Sequence, residues 1–280
     1  MKEEISYREC GMMPDIGGQG VGKTYQKMHF IKSYITDDFK SKVMGRKILV
    51  YDVNGEYKKE QFERNGIPNF SPKKIALKDV VAWCSSDLVE CRVIDAKSLG
   101  IKQKKKVLEY LVNSTFNIGL ICEDPNNYIL SITHMEEVVG GLVNLRHKGV
   151  DVSLSFQSLR AVEPRVFANS RWFRLFYQSD LVEDCIGKIP NPELWKIAQL
   201  IINNRYYNGD KRMFIYIYKE ENIIQGKFTK AEFKKACEQY LSLNKKYVKE
   251  FESINSCSTP EAIEGLCVRY YQMYYGNADK

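Results

Sequence analysis

Residues 17 to 24 read Gly17-Gly18-Gln19-Gly20-Val21-Gly22-Lys23-Thr24, a complete G-x-x-x-x-G-K-[ST] pattern. Four glycines let the backbone curl until successive N–H groups face one point, and a helix starting directly afterwards adds its positive dipole end. A polyphosphate fits such a cradle. The ligand this octapeptide points to is therefore a nucleoside triphosphate, here ATP, contacted from Gly17 through Gln19 and Val21 to Tyr25. Lys23 reaches the β- and γ-phosphates and the Thr24 hydroxyl ligates Mg2+. The competing reading is a glycine-rich turn that merely begins a helix; a strand before the loop and a helix after it separate the two. The helix is visible over residues 24–34, with Tyr25, Met28, Ile31 and Ile35 at apolar positions and Lys27 and Lys32 between them. Residues 11–16 contain Pro14 and Asp15, so the strand feeding the loop is expected to be short or to lie at an edge.

A chain of 280 residues, 44% apolar, can bury a large core and suits one α/β domain with an appendage. Its eight cysteines form no C-x-x-C pair and no secretory leader is evident, so they are expected to be reduced thiols of a cytoplasmic protein, in the host cytoplasm if the source is viral. The three histidines, His29, His134 and His147, are scattered, which argues against zinc. No apolar run approaches the ~18 residues of a membrane span. The net charge of +7 permits a polyanionic partner. Part of it is local, in Lys102, Lys104, Lys105 and Lys106 and in the pair Lys73-Lys74, although a solvated helix face explains such runs as well.

Apolar runs at 47–52, 116–122, 150–156 and 172–177 each stop at a polar residue: Asp52, Glu123-Asp124, Gln157 and Gln178. Helical patterns at 104–114 and 135–147 lie between them. Strands alternating with helices predict a mostly parallel sheet covered by helices on both faces, with ligand beyond the strands' carboxyl ends. Residues 211–218 and 223–228 read as a β-hairpin, and Thr229 with Glu232 forms a capping box that starts a helix. The expected division is an ATPase core over 1–228 and a helical appendage over 229–280. The tyrosines at 270, 271, 274 and 275 read as packing onto the core in preference to an interface.

A phosphate loop hydrolyses nothing without a carboxylate near the metal and another to activate water. Glu123 and Asp124 supply both at the end of a strand about 100 residues after the loop. Glu123 is assigned to Mg2+, through water, and Asp124 to water activation, with the two roles interchangeable on sequence alone. Gln157, closing the next strand, is placed to sense the γ-phosphate or position the water.

The order Gly-rich loop, Ile48-Leu-Val-Tyr-Asp52-Val-Asn-Gly55-Glu56-Tyr57, Ile121-Cys-Glu123-Asp124 and Ser155-Phe-Gln157 resembles the HerA/FtsK superfamily of ring ATPases over roughly residues 10–228. The resemblance implies the ASCE, RecA-like form of the P-loop NTPase fold and a homomeric ring, pentameric or hexameric. It also implies an arginine entering from the neighbouring subunit just before the fourth strand. Arg146 occupies that place, with Arg160, Arg165 and Arg171 as rivals. The acid pair departs from the superfamily's usual Asp-Glu order.

Compact size without a membrane anchor resembles, within this superfamily, the DNA-packaging ATPases of bacteriophages. That implies translocation of double-stranded DNA and a portal or capsid partner; on charge alone, the candidate contacts to DNA phosphates are Lys102, Lys104, Lys105 and Lys106, with Lys73 and Lys74 behind them. Alternatives are an ATPase driving protein secretion or phage assembly, of the filamentous-phage morphogenesis type, and a P-loop kinase.

Overall fold

The computed structural model describes residues 10–38, 43–128, 140–142 and 144–277, which fall into two compact units. The first comprises residues up to Asp15, Gly22–Gln157 and Ala161–Ser170; the second comprises Ile16–Val21, Ser158–Arg160 and Arg171 onward. Of the expected helix over 135–147, residues 135–139 and 143 lie outside the described residues, 140–142 and 144 are helical, and the last turn is a 3-10 segment at Leu145–Lys148.

Six strands build the first unit: β1 (Met12–Ile16), β2 (Ile48–Asp52), β3 (Lys73–Lys74), β4 (Cys91–Asp95), β5 (Gly119–Cys122) and β6 (Asp151–Phe156), in spatial order β3-β4-β2-β5-β6-β1. The ladders β3–β4, β4–β2, β2–β5 and β5–β6 are all parallel. Every residue of β2, β5 and β6 is buried, so both faces of these strands are covered, as their unbroken apolar runs require. One face packs on α1 (Lys23–Tyr34) and α2 (Lys59–Arg64), where Met28, Ile31, Tyr34 and Phe62 join Ile48, Val50 and Ile121 in one cluster. Three further helices of the unit among the described residues are α3 (Val80–Ser85), α4 (Ile101–Ser114) and α5 (Pro164–Asn169).

The first strand meets the first of its two expected alternatives, and the setting of Lys27 is a correction. β1 is short but not an edge: Gly11 O accepts from Val152 N–H on one flank, Met12 bridges to Ser170 on the other, and all five residues of the strand are buried. Lys27, placed between apolar positions of α1, is fully buried, because Asp15 of β1 lies beneath it as a counter-charge. β4 escaped notice in the sequence because Arg92 interrupts its apolar run; that side chain turns out to Glu90.

The second unit holds β7 (Trp172–Phe176), β8 (Phe214–Tyr218) and β9 (Ile223–Gly226), joined antiparallel in that order. The predicted hairpin is β8–β9. Helices α6 (Pro192–Tyr207), α7 (Lys230–Leu243), α8 (Lys245–Asn255) and α9 (Thr259–Tyr274) follow, so residues read as a helical appendage belong to one unit with residues 171–228. The Thr229–Glu232 capping box forms as expected, and Ser258 with Glu261 repeats it at α9. Tyr270 and Tyr274 pack inward, and their hydroxyls, with that of Tyr240, donate to the Glu193 carboxylate in the first turn of α6.

Candidate functional site

Strand register decides which side chains meet. Tyr51 pairs with Cys122 and Cys122 with Leu154, so Asp52, Glu123 and the end of β6 arrive at one carboxyl edge of the parallel sheet. The glycine loop runs from β1 into α1. Gly22, the residue before α1, has φ 94°, a left-handed conformation that disfavours side chains. Gly17 has no room for one: a Cβ there would stand 2.5 Å from Phe176 Cβ. No side chain caps the start of α1 and its first turn carries no acid, which leaves an electropositive helix end beside Lys23 and Thr24.

The Asp52 carboxylate organises the segment after β2. Its Oδ1 accepts the amides of Asn54, Gly55 and Glu56, at 3.2, 2.7 and 3.1 Å, and its Oδ2 accepts that of Tyr57 at 3.0 Å. Four amides on one carboxylate fix a tight turn that aims three side chains. Glu56 Oε2 accepts from Thr24 Oγ1 at 2.9 Å. Asn54 Nδ2 makes a long hydrogen bond, 3.5 Å, to Asp124 Oδ2. The fully buried Tyr57 hydroxyl donates to Glu123 Oε1. Sequence inspection marked Asp52, Glu56 and Tyr57 as part of a motif; the structure supplies their tasks.

Glu123 and Asp124 end in different surroundings. Glu123 is buried, with Lys27 Nζ 3.7 Å from its Oε1, and Lys27 also lies 3.8 Å from the buried Asp15. Burial opposes the Glu123 charge, but Lys27, the hydroxyls of Ser155 and Tyr57, and Lys23 outweigh it and hold the carboxyl below its ordinary value. Asp124 adopts φ 41°, which turns it out of the strand direction. Its Oδ2 accepts long hydrogen bonds from Asn54 and from Gln157 Nε2, both 3.5 Å, while its Oδ1 is buried without a hydrogen-bond partner. Lys23 is lowered by burial against the pull of Asp124, Glu123 and Asp15. Desolvation raises Glu56, partly offset by its bond from Thr24.

Lys23, Thr24, Glu123, Asp124 and Gln157 are thus brought to one site, joined by Asn54, Glu56 and Tyr57. Lys27 and Asp15, behind it, were legible only as a charge at the i+4 position from Lys23 and an acid inside an apolar strand. Among the described residues no group of three or more His, Cys, Asp or Glu side chains is poised to hold a metal unaided. Mg2+ does not require one, since it keeps waters and takes phosphate oxygens. The Thr24 hydroxyl, the Glu56 carboxylate and the orphaned Asp124 oxygen are hard oxygen donors of the kind it binds.

The basic candidates sort by engagement. Arg146 is exposed on the Leu145–Lys148 turn, and its side chain makes no hydrogen bond or ion pair among the described residues. Arg160 is tied to Asp184, and Arg165 and Arg171 are also engaged. On α4, Lys104 Nζ donates to Val53 O at 3.3 Å and Lys105 pairs with Glu109 at 3.4 Å, while Lys102 and Lys106 are exposed. Lys73 and Lys74 pair with Glu90 and Asp95. No helix of the described residues is long and apolar enough to cross a membrane.

No protein-family model matches the sequence, and no curated protein matches it. Solved structures do. B204, the DNA-packaging ATPase from Sulfolobus turreted icosahedral virus, superposes with a TM-score of 0.51 at 16% identity, over 78% of this chain and 97% of that one. The genome packaging NTPase B204 from Sulfolobus turreted icosahedral virus 2, in complex with ATP-gammaS, superposes at 0.50, also at 16% identity, over 78% and 97%. At such identity the likeness is one of fold: the chain has the mostly parallel α/β P-loop NTPase fold of these viral packaging NTPases.

Proposed function

We propose that the chain is an ATP-hydrolysing subunit of a homomeric ring that moves double-stranded DNA, as in viral genome packaging. The observation that carries this reading is the constellation at the sheet edge: a complete phosphate loop with Lys23 beside two carboxylates, one of them, Asp124, presenting a buried oxygen with no partner. The B204 neighbours add a packaging ATPase of the same fold. The HerA/FtsK resemblance adds the ring.

In this reading the loop amides and Lys23 hold the triphosphate, and Thr24 with Glu56 holds Mg2+, Glu123 contributing through water. The metal neutralises charge on the phosphoryl oxygens when bound. Asp124 takes the proton of the attacking water, which Gln157 and Asn54 keep in line. Lys27 and Tyr57 fix Glu123, so that of the two acids Asp124 is the one available to a proton. Arg146 of one subunit stabilises the phosphoryl charge in its neighbour's site. Lys102 and Lys106, with Lys104 and Lys105 beside them, contact DNA phosphates.

The test is phosphate release from Mg-ATP at low salt, with and without linear duplex DNA, Lys23→Ala serving as blank. Stimulation by DNA is expected. Turnover indifferent to DNA would move the assignment to an ATPase acting on protein, and transfer to an acceptor without free phosphate would make it a kinase.

A further inference from the structure

Three tyrosines of the second unit meet directly beside the phosphate loop, in an arrangement that packing alone does not require. The Gly18 amide donates to Tyr177 O at 2.8 Å, so the residue that closes β7 is fastened to the loop. The Tyr177 ring lies flat on Tyr206, centroids 3.6 Å apart and planes 4° from parallel. Tyr207 stands edge-on to both, at 81° and 85°, and its hydroxyl meets that of Tyr177 at 3.1 Å. Yet Tyr207 is 74% exposed, the most exposed aromatic side chain among the described residues. Tyr206 and Tyr207 are the last two residues of α6, whose other large apolar side chains are buried (Leu194, Trp195, Ile197, Ile201 and Ile202) or, for Leu200, half-buried. The cluster is therefore an ordered aromatic surface left open to solvent.

We propose that this cluster is the seat of the nucleobase of the bound nucleotide. The inference rests on the nucleotide reading of the loop: a triphosphate held by its phosphates there projects its base one ribose beyond them, and these rings stand at the strand end whose backbone carbonyl is hydrogen-bonded to the loop. The chemistry suits a base in general more than one base in particular. Stacking needs only a π face, which every base has. The neighbouring polar side chain is already used, since both ends of the Gln178 amide bond Asp180, Nε2 to its carbonyl and Oε1 from its N–H. A stack of this kind does not by itself distinguish ATP from GTP.

The test uses the full chain and two ligands: Mg-ATPγS, which has a base, and Mg-tripolyphosphate, which has none. Tyr207→Ala should weaken ATPγS on the order of tenfold, the size of one base–aromatic stack, and leave tripolyphosphate unchanged. Tyr207→Phe, which keeps the ring, should retain most of the ATPγS affinity. Unaltered ATPγS binding by Tyr207→Ala would overturn the proposal, as would an equal loss of both ligands, which would mean that the ring only supports the loop. If the unmodified chain binds tripolyphosphate but gains nothing from the base of ATPγS, the platform fails while the phosphate site stands. If it binds neither, the nucleotide reading itself falls, and the platform with it.

Discussion

At residue 27 a lysine with no exposed surface separates two buried carboxylates, Asp15 and Glu123. Removing one member of a buried ion cluster leaves the others uncompensated, which costs about 3–5 kcal/mol. Lys27→Met should therefore lower the unfolding free energy measured in urea by about that amount while leaving the loop sequence intact. The same cluster sets an acid limb. Glu123 has its folded pKa below the ordinary 4.5, so its contribution to stability is present above that value and is lost as pH falls through the depressed folded one. Stability measured below about pH 4.5 should decline in the unmodified chain and decline less steeply in Glu123→Gln. Asp124 has a different part in the proposed reaction. Asp124→Asn should keep ATP binding and lose roughly 10²–10⁴ in turnover, the usual worth of a general base, whereas Lys23→Ala should lose binding as well. Lys23, Glu123 and Asp124 were legible as candidates, since each belongs to a local pattern. Lys27 was not legible as a buried group, because a lysine between apolar positions of a helix looks solvated until its partner on another element is known.

The turn after β2 is the element on which the site depends, and a single carboxylate holds it. Asp52→Ala deprives four consecutive amides of their acceptor, and hydrogen bonds to a charged group contribute roughly 1.5–3 kcal/mol. The amides proposed to hold the triphosphate belong to residues 17–24 and not to this turn, so kcat should fall through misplaced Asn54, Glu56 and Tyr57 by more than the Kd for ATPγS rises. A matched loss in both would instead place Asp52 in the fold of the phosphate loop. Elements were legible in proportion to their burial. β2, β5 and β6, covered on both faces, read as continuous apolar runs. β3, two exposed lysines long, and β4, broken by Arg92, did not, because their strand conformation comes from pairing in the sheet and not from local pattern. β1 looked unfit for an interior place because Asp15 is charged, and the compensating Lys27 is visible only in three dimensions.

Among the described residues nothing engages the side chain of Arg146, although its three rivals are all held by their own chain. Fold class and hairpin followed from pattern, but assembly leaves almost no local trace, and one unengaged arginine together with a surplus of lysine is what the sequence offers. Two measurements act at this scale. DNA binding through Lys102 and Lys106 should weaken linearly with log salt, and replacing both by alanine should reduce the slope by about 2 per bound subunit. An unchanged slope would remove α4 from the DNA path. The ring is tested by mixing inactive chains. An Arg146→Ala subunit keeps an intact phosphate loop but offers no cation to its neighbour; a Lys23→Ala subunit has a dead loop but still offers Arg146. If the arginine acts across a subunit boundary, each homogeneous variant is inactive, yet in mixed assemblies an Arg146→Ala pocket facing a Lys23→Ala neighbour is complete. ATP turnover should then rise from background to a maximum near equal mixing. Turnover that stays at background at every ratio would confine Arg146 to its own subunit or to no role in hydrolysis, and full activity of Arg146→Ala alone would remove it from the site.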